Sequence, residues 1–493
     1  MSPTVAIIGA GFGGLCMAIR LERAGIRSYT IFEKGPGVGG TWRDNTYPGA
    51  GCDIPSHLYS FSFERYSSWS RRYPGQPEIL GYLEMCANKY GLRPRIRLNT
   101  EVTAATFDES LSRWRVRTPS GEELFDVVVS AVGQLNRPRL PDIPGMSAFA
   151  GASFHSARWD HSQDLTGRRV AVIGSGSSAA QLIPRVAEVA ERVDVFQRTP
   201  NWVIPKPDAV FGETARKVFR RLPFLQRGYR EWTYRYAETA LYPALAGRWS
   251  AGLLRKRALD HLRGQVRDPE LRARLTPGYP VGCRRIVIDS DFYPALTRPN
   301  VDLVTEPIVR ITPAGVETTA GLHGADVIVY ATGFQTTGFL APIEVTGRGG
   351  RRLSEEWKEG AEAYLGIAVP YFPNLFLLYG PNTNLGHNSI VFMLECQAGY
   401  IMGCLPYLAR RGPMEVRPEA MEAWRRSLER AMDTMVWGAG CTSWYKNASG
   451  RVTNNWPAPT TVYRRITRAP RPTAFRFAGR PVRDSGGGLS VTS

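Results

Sequence analysis

Residues 4–25 read TVAIIGAGFGGLCMAIRLERAG. Four apolar residues, Val5 to Ile8, run directly into a cluster of glycines, after which apolar residues recur at helical spacing. A short buried strand, a tight turn and an amphipathic helix open a βαβ unit. Gly9, Gly11 and Gly14 complete a GxGxxG. In such a turn the first glycine permits the sharp reversal. The second lets a pyrophosphate approach the backbone, and the third lets helix and strand pack closely. The anion then rests on the free N–H groups of the helix N-terminus. The next apolar run, SYTIFEK, ends in Glu33, about 20 residues beyond Gly14, where a carboxylate binds ribose hydroxyls.

The pattern recurs at residues 168–190, RRVAVIGSGSSAAQLIPRVAEVA. Here Gly174, Gly176 and Ala179 form a GxGxxA, and Ser177 and Ser178 open the helix as candidate phosphate contacts. At the position equivalent to Glu33 stands Arg198, followed by Thr199. A carboxylate repels a 2′-phosphate, whereas a guanidinium and a hydroxyl bind one. The first site is therefore expected to take a dinucleotide without that phosphate and the second to take NADP. A flavoprotein using NADPH needs this division, with FAD in the first site and NADPH in the second.

Two such turns in 493 residues predict an α/β protein with two Rossmann-like dinucleotide-binding domains. The first is assigned residues 1–134 and 336–467, the second residues 135–204 and 281–335. Residues 205–280 carry helical periodicity with many basic and aromatic side chains, and are read as a helical insertion in the second domain. Residues 468–493, rich in Pro, Gly and Ser, are read as a flexible tail. The charge of +18 reads as compositional bias, because no basic block or nucleic-acid motif stands out and arginines run the length of the chain. Seven cysteines without a CxxC argue against a disulfide framework, a zinc site and a disulfide reductase, and for a reducing, cytoplasmic location. Residues 389–408 are apolar but interrupted by Glu395 and Gln397, so a core helix is expected rather than a membrane span.

Between the two turns lies FAGASFHSARWD, residues 149–160. It fits FxGxxxHxxxW followed by Pro or Asp, with Phe149, Gly151, His155, Trp159 and Asp160 in place. GGTWRDNTYPGAGCD, residues 39–53, fits a second long signature, and YATGF follows at 330–334. On these motifs the chain resembles the type I Baeyer–Villiger monooxygenases. The resemblance implies FAD contacts at Gly40, Thr41, Trp42 and Asp53, and a polar contact from Gln134 at the domain junction. It makes Arg285, in GYPVGCRRIVIDSDFY, the mobile arginine at the reactive flavin edge, with Asp53 beside it. Arg284 stands where the family usually has a lysine near the 2′-phosphate, which keeps the charge and changes its geometry. Val132 departs from the commoner ATG pattern. Trp444 resembles the tryptophan that packs near the nicotinamide ribose, and His155 is expected to organise the domain linker rather than to move protons.

The implied activity is NADPH-dependent insertion of one oxygen of O₂ beside a ketone carbonyl, through a flavin peroxide, to give an ester or lactone. Oxygenation of nitrogen or sulfur by the related flavin-containing monooxygenases is the alternative, and a cofactor-binding module without turnover is a third reading. The substrate pocket is expected among the helical insertion, GPNTNLGHNSIVF (residues 380–392) and the C-terminal loops. No nucleic-acid partner and no stable membrane insertion are expected.

Overall fold

The computed structural model describes residues 2–477 except 439, 442 and 448. Val5–Ile8 is fully enclosed, and it lies between Tyr29–Phe32 on one side and Val127–Ser130 on the other, parallel to both. Leu375–Leu377 and Ile96–Arg97 complete this five-stranded sheet at its two edges. The second sheet repeats the plan. Arg169–Ile173 lies between Arg192–Phe196 and Val327–Tyr330, with Val301–Val304 and Ala152–His155 outside them, all parallel. In both sheets the strand that feeds the glycine turn is central, and its neighbours connect away in opposite directions. That reversal opens a crevice at the carboxyl end of the sheet, where ligands of this fold class bind.

The turns are built alike. Gly9 has φ +106° and Gly174 has φ +118°, and a Cβ on either would drive into a backbone carbonyl, that of Ala131 or of Ala331. Helices Phe12–Arg23 and Ser177–Val186 follow the turns. Each parallel sheet is covered on its other face by a second sheet, mixed in the first domain and antiparallel in the second. Trp114 and Val116 of the sheet made by 344–346, 104–108, 113–118 and 121–125 pack on Ile8 and Val128. Ile311 and Val316 of the sheet made by 308–312, 315–318 and 321–324 pack on Ala171 and Ile328. Burial on both faces explains why the central strands are unbroken apolar runs.

The insertion comprises helices Glu213–Arg221, Pro223–Tyr236, Tyr242–Leu245, Ser250–Gln265 and Pro269–Arg274, with a π-helical turn, Ala237–Leu241, in its middle. It docks on the first domain: the Arg230 guanidinium donates to the carbonyls of His57, Leu58 and Ser60, and Gln226 donates to that of Tyr66. Phe224, Trp232 and Trp249 nevertheless stay more than half exposed. The expectation of evenly spread charge is corrected here. Residues 205–280 hold 16 Lys and Arg against seven Asp and Glu, half of the chain's net +18 in this one segment.

Helix Ile390–Arg411 is the one among the described residues long and apolar enough to cross a membrane. It packs against Phe12–Arg23 and Thr460–Ile466, in the core of the first domain. Two further expectations are corrected. Phe475–Phe477, assigned to a flexible tail, pairs antiparallel with Met414–Val416 and buries Phe475 in the core. Residues beyond 477 lie outside the described residues. Cys283 and Cys441 form a disulfide, although no pairing was expected. They stand 158 residues apart in sequence and 6.3 Å apart at Cα, within bridging range, a proximity that only the fold creates.

Candidate active site

Both glycine turns open onto one cavity of about 1560 Å³, lined by both domains and the insertion. Pockets for single small ligands run to roughly 1000 Å³, so the space suits two dinucleotides and a substrate together. At the first turn Gly11 caps helix Phe12–Arg23, and a Cβ there would approach Gly40, whose own φ is +54°. The two glycines leave a bare backbone cradle between Gly9 and Thr41. The Thr41 hydroxyl donates to the Leu135 carbonyl at 3.3 Å and the Trp42 indole to the Tyr59 hydroxyl at 3.1 Å, which fixes the short helix Thr41–Asp44.

Glu33 is buried, with its carboxylate accepting from Ala10 N at 2.9 Å, Gly35 N at 2.8 Å and Arg43 Nη1 at 2.8 Å. A carboxylate offers about four lone-pair positions. One remains for a ribose hydroxyl, and the other three hold the acid rigidly at the lip of the turn. Gln134 is also buried. Its Nε2 donates to the Tyr379 carbonyl at 3.2 Å, while its Oε1 has no partner. A buried acceptor left unpaired costs on the order of 1–3 kcal/mol. Here it borders the cavity, where a ligand N–H or O–H would satisfy it. The cradle and this orphan acceptor fit a flavin dinucleotide.

At the second turn Gly176 caps the helix that begins with Ser177 and Ser178, and Asn201 Nδ2 donates to the Ser175 carbonyl at 2.8 Å. Arg198 is exposed at the cavity edge, has no acidic partner among the described residues, and adjoins the half-buried Thr199. Arg284 also lines the cavity. Its guanidinium lies 5.0 Å from the centre of the Tyr279 ring, and its Nε is buried without a partner. Two cations with no acidic partner among the described residues, in a cavity that the helix N-terminus also lines, fit a phosphorylated dinucleotide. The substitution of arginine for the family's lysine at Arg284 thus leaves a cation at the cavity, seated on an aromatic face.

Asp53 and Arg285, 232 residues apart, meet as an ion pair inside the cavity. Asp53 raises the basicity of the Arg285 guanidinium further, against the opposing effect of burial. Tyr379 and Tyr445 interact electrostatically with the same guanidinium. Burial pushes the Tyr445 hydroxyl up to about 12 and that of Tyr379 higher, so both stay protonated at neutral pH. Trp444 is half-buried, lies 4.6 Å from Tyr445 between ring centres, and reaches the cavity. The disulfide Cys283–Cys441 ties the Arg284–Arg285 segment to the Trp444 loop.

His155 ends the outer strand of the second sheet opposite Tyr330, and its Nδ1 accepts from Ala157 N at 3.0 Å. Trp159 packs on Phe154 at 5.1 Å, and Asp160 accepts from Ser162 N at 3.0 Å. The segment therefore builds the edge of the second sheet where the chain enters it. Burial lowers the His155 pKa, with Arg158 adding to the effect and a backbone contact opposing it.

Sequence reasoning passed over Gln181. It stands one helical turn beyond Ser177 and bonds both the amide and the carbonyl of Gly51, at 3.3 and 3.0 Å, and the Tyr47 hydroxyl at 2.9 Å. It thereby clamps the residue 39–53 loop to the second domain. Its helical spacing from Ser177 was the available signal. His387 and Asn388 line the cavity within the 380–392 stretch expected there, whereas Glu238, which contacts both, gave no signal of its own.

A family profile described as pyridine nucleotide-disulphide oxidoreductase matches residues 6–211, which carry both turns. A Baeyer-Villiger monooxygenase of Streptomyces coelicolor is 43% identical over 94% of this chain and 90% of its own. One from Pseudomonas aeruginosa is 42% identical over 97% and 92%. The solved structure of an oxidized steroid monooxygenase bound to NADP superposes with a TM-score of 0.85 at 33% identity, over 97% of this chain and all of that one. With both dinucleotide turns, the Asp53–Arg285 pair and full-length similarity in hand, the chain belongs to the Baeyer–Villiger monooxygenases, a family of flavoprotein monooxygenases.

Proposed function

We propose that the chain inserts one oxygen atom of O₂ beside the carbonyl of an apolar ketone, holding FAD at the first turn and NADPH at the second. The observation that carries this reading is the Asp53–Arg285 pair, set in the one cavity that both turns share. When bound, FAD would supply the redox and oxygen-activating chemistry, with NADPH as the source of electrons.

The protein's part is electrostatic. Negative charge develops on oxygen as the carbonyl is attacked, and Arg285 is a cation that no pH near neutral removes. A unit cation about 4 Å from such an anion, at an effective dielectric of about 20, contributes roughly 4 kcal/mol before desolvation. Asp53 cancels part of that charge and in return fixes the direction of the guanidinium. Tyr379 and Tyr445 close the surroundings with neutral hydroxyls, and the Tyr379 hydroxyl is itself held, donating to Asn384 at 2.7 Å. Arg198, Thr199 and Arg284 select the 2′-phosphate. Beyond them the cavity wall turns apolar, with Leu241, Leu245, Leu385 and Ile390 among its residues, which suits an aliphatic or cyclic ketone body.

The test is anaerobic reduction of the yellow protein by NADPH or NADH, followed by oxygen with 2-decanone or thioanisole. NADPH should reduce the flavin at far lower concentration than NADH, and 2-decanone should yield an ester with little H₂O₂. Oxidation of thioanisole alone would replace ketone insertion by sulfur oxygenation. Stoichiometric H₂O₂ with neither product would end the monooxygenase reading.

A further inference from the structure

Glu238 is a carboxylate with no lysine or arginine against it among the described residues, enclosed where three separated segments meet. It sits on the π-helical turn Ala237–Leu241, between two helices of the insertion. π-Turns inside α-helices cluster at functional positions, because the extra residue re-aims the side chains around it. Ala237 and Leu241 of this turn line the cavity. Four contacts converge on the carboxylate. Asn388 Nδ2 donates at 2.6 Å, the His387 ring nitrogen Nε2 lies at 3.1 Å, and Thr460 donates from its amide at 2.9 Å and its hydroxyl at 2.7 Å. His387 and Asn388 are buried and also line the cavity. Tyr242 packs its ring 5.2 Å from that of His387. Burial alone would raise the Glu238 pKa, but His387, Thr460 and Asn388 outweigh it and the carboxylate is held ionised.

The geometry points to Glu238 as the positioning residue that sets the substrate wall, registering the insertion against the 384–390 segment and so fixing where the ketone sits relative to Arg285. This rests on the reading of the cavity as a ketone site. The physical case is one of acceptor count. Both carboxylate oxygens face donors, with Asn388, His387 and the Thr460 hydroxyl at Oε1 and the Thr460 amide at Oε2. A glutamine in its place must turn an NH₂ toward Thr460, His387 or Asn388, leaving donors face to face. The π-turn then loses its fixed register, and Leu241 and Leu245 move with it. The turns that hold the two dinucleotides are not part of this network.

Glu238→Gln is therefore expected to raise KM for 2-decanone about tenfold while kcat changes by less than about twofold, as befits buried donors left unpaired in the substrate wall. Flavin content and anaerobic reduction by NADPH should match the wild type. Glu238→Asp, which keeps the charge, should recover most of the affinity. Amide exchange at residues 384–389 and 459–462, which needs no turnover, should quicken in the Gln variant and stay near wild type in the Asp variant. Should Glu238→Gln fail to fold, His387→Gln removes one partner from the same carboxylate and is expected to shift KM in the same direction.

Unchanged KM together with unchanged exchange in Glu238→Gln would overturn the proposal. So would a loss of flavin reduction equal to the loss of oxygenation, which would make the effect global. If the wild type oxidises only thioanisole, the ketone reading falls, and the KM comparison is decided with that sulfide. If it turns over neither, the ketone reading again falls alone, and the exchange comparison decides the role of Glu238.

Discussion

Arg285 and Asp53 make the sharpest residue-level claim, because the pair divides the reaction into a half that needs it and a half that does not. Taking electrons from NADPH requires only that both dinucleotides be held, a task of the two glycine turns. Arg285→Ala should therefore be reduced by NADPH at close to the wild-type rate. Its ester formation should fall about 10²–10³-fold, the range seen when one stabilising group is removed from a developing anion, with the oxygen leaving as H₂O₂. Rapid-mixing kinetics with product analysis checks this, and full oxygenation by the variant would remove Arg285 from the mechanism. Arg285→Lys keeps a charge without the planar fork that Asp53 grips and should fall between the two. These residues were legible in the sequence because each sits in an ungapped local pattern. Glu238 was not, since its partner His387 is 149 residues away and neither residue belongs to a spacing that announces chemistry. Glu33 was legible as the acid that follows the second strand, but its three protein donors were invisible, because Arg43 reaches it only through the turn that follows.

At the scale of elements, the insertion is held to the first domain through a buried histidine. The His57 ring is enclosed by Phe211, Phe219 and Tyr229, and its Nδ1 lies 3.0 Å from Gln226 Nε2. Burial, helped by the neighbouring charge of Arg230, lowers its pKa from 6.5 to about 4. The folded pKa is below the unfolded one, so the unfolded chain takes up the proton first. Stability is full above pH 6.5 and is lost as pH falls through the window down to about 4. A shift of that size corresponds to about 3 kcal/mol. Thermal unfolding of the wild type should drop more steeply between those pH values than that of His57→Gln, and parallel curves would show that His57 does not carry the dependence. Helical periodicity announced these helices. It did not show which face met the first domain, because polar Arg230 and Gln226 share the contact with Phe219 and Tyr229, while Phe224 and Trp232 stay exposed on the same helices. The strands were more legible: a run buried on both sides has to be apolar throughout, and Val5–Ile8 and Val170–Ile173 are. Phe475–Phe477 was lost among prolines and glycines, because a short strand on a two-stranded ribbon carries almost no pattern of its own.

For the molecule as a whole, the disulfide is the feature no sequence pattern indicated. Closing a loop of 158 residues removes unfolded-state entropy worth about 5 kcal/mol at 25 °C on the simple chain model. Cys441→Ser, or wild type treated with dithiothreitol, should lose thermal stability by the same amount, and dithiothreitol should then have no further effect on the variant. Equal melting of all three would mean that the bond contributes nothing. The bond also bears on kinematics. The chain passes from the first parallel sheet to the second between Ser130 and Ala152 and returns between Tyr330 and Leu375, so the peptide backbone joins the two bodies at two places. Two pivots define an axis and leave one rotation free. Cys283–Cys441 adds a third covalent attachment, at the Arg285 and Trp444 side of the cavity. With the bond closed, any swing of one sheet against the other has to be taken up by bending in the short loops around those two cysteines. With it open, only noncovalent contacts, the Asp53–Arg285 pair and the Gln181 clamp among them, restrain that rotation.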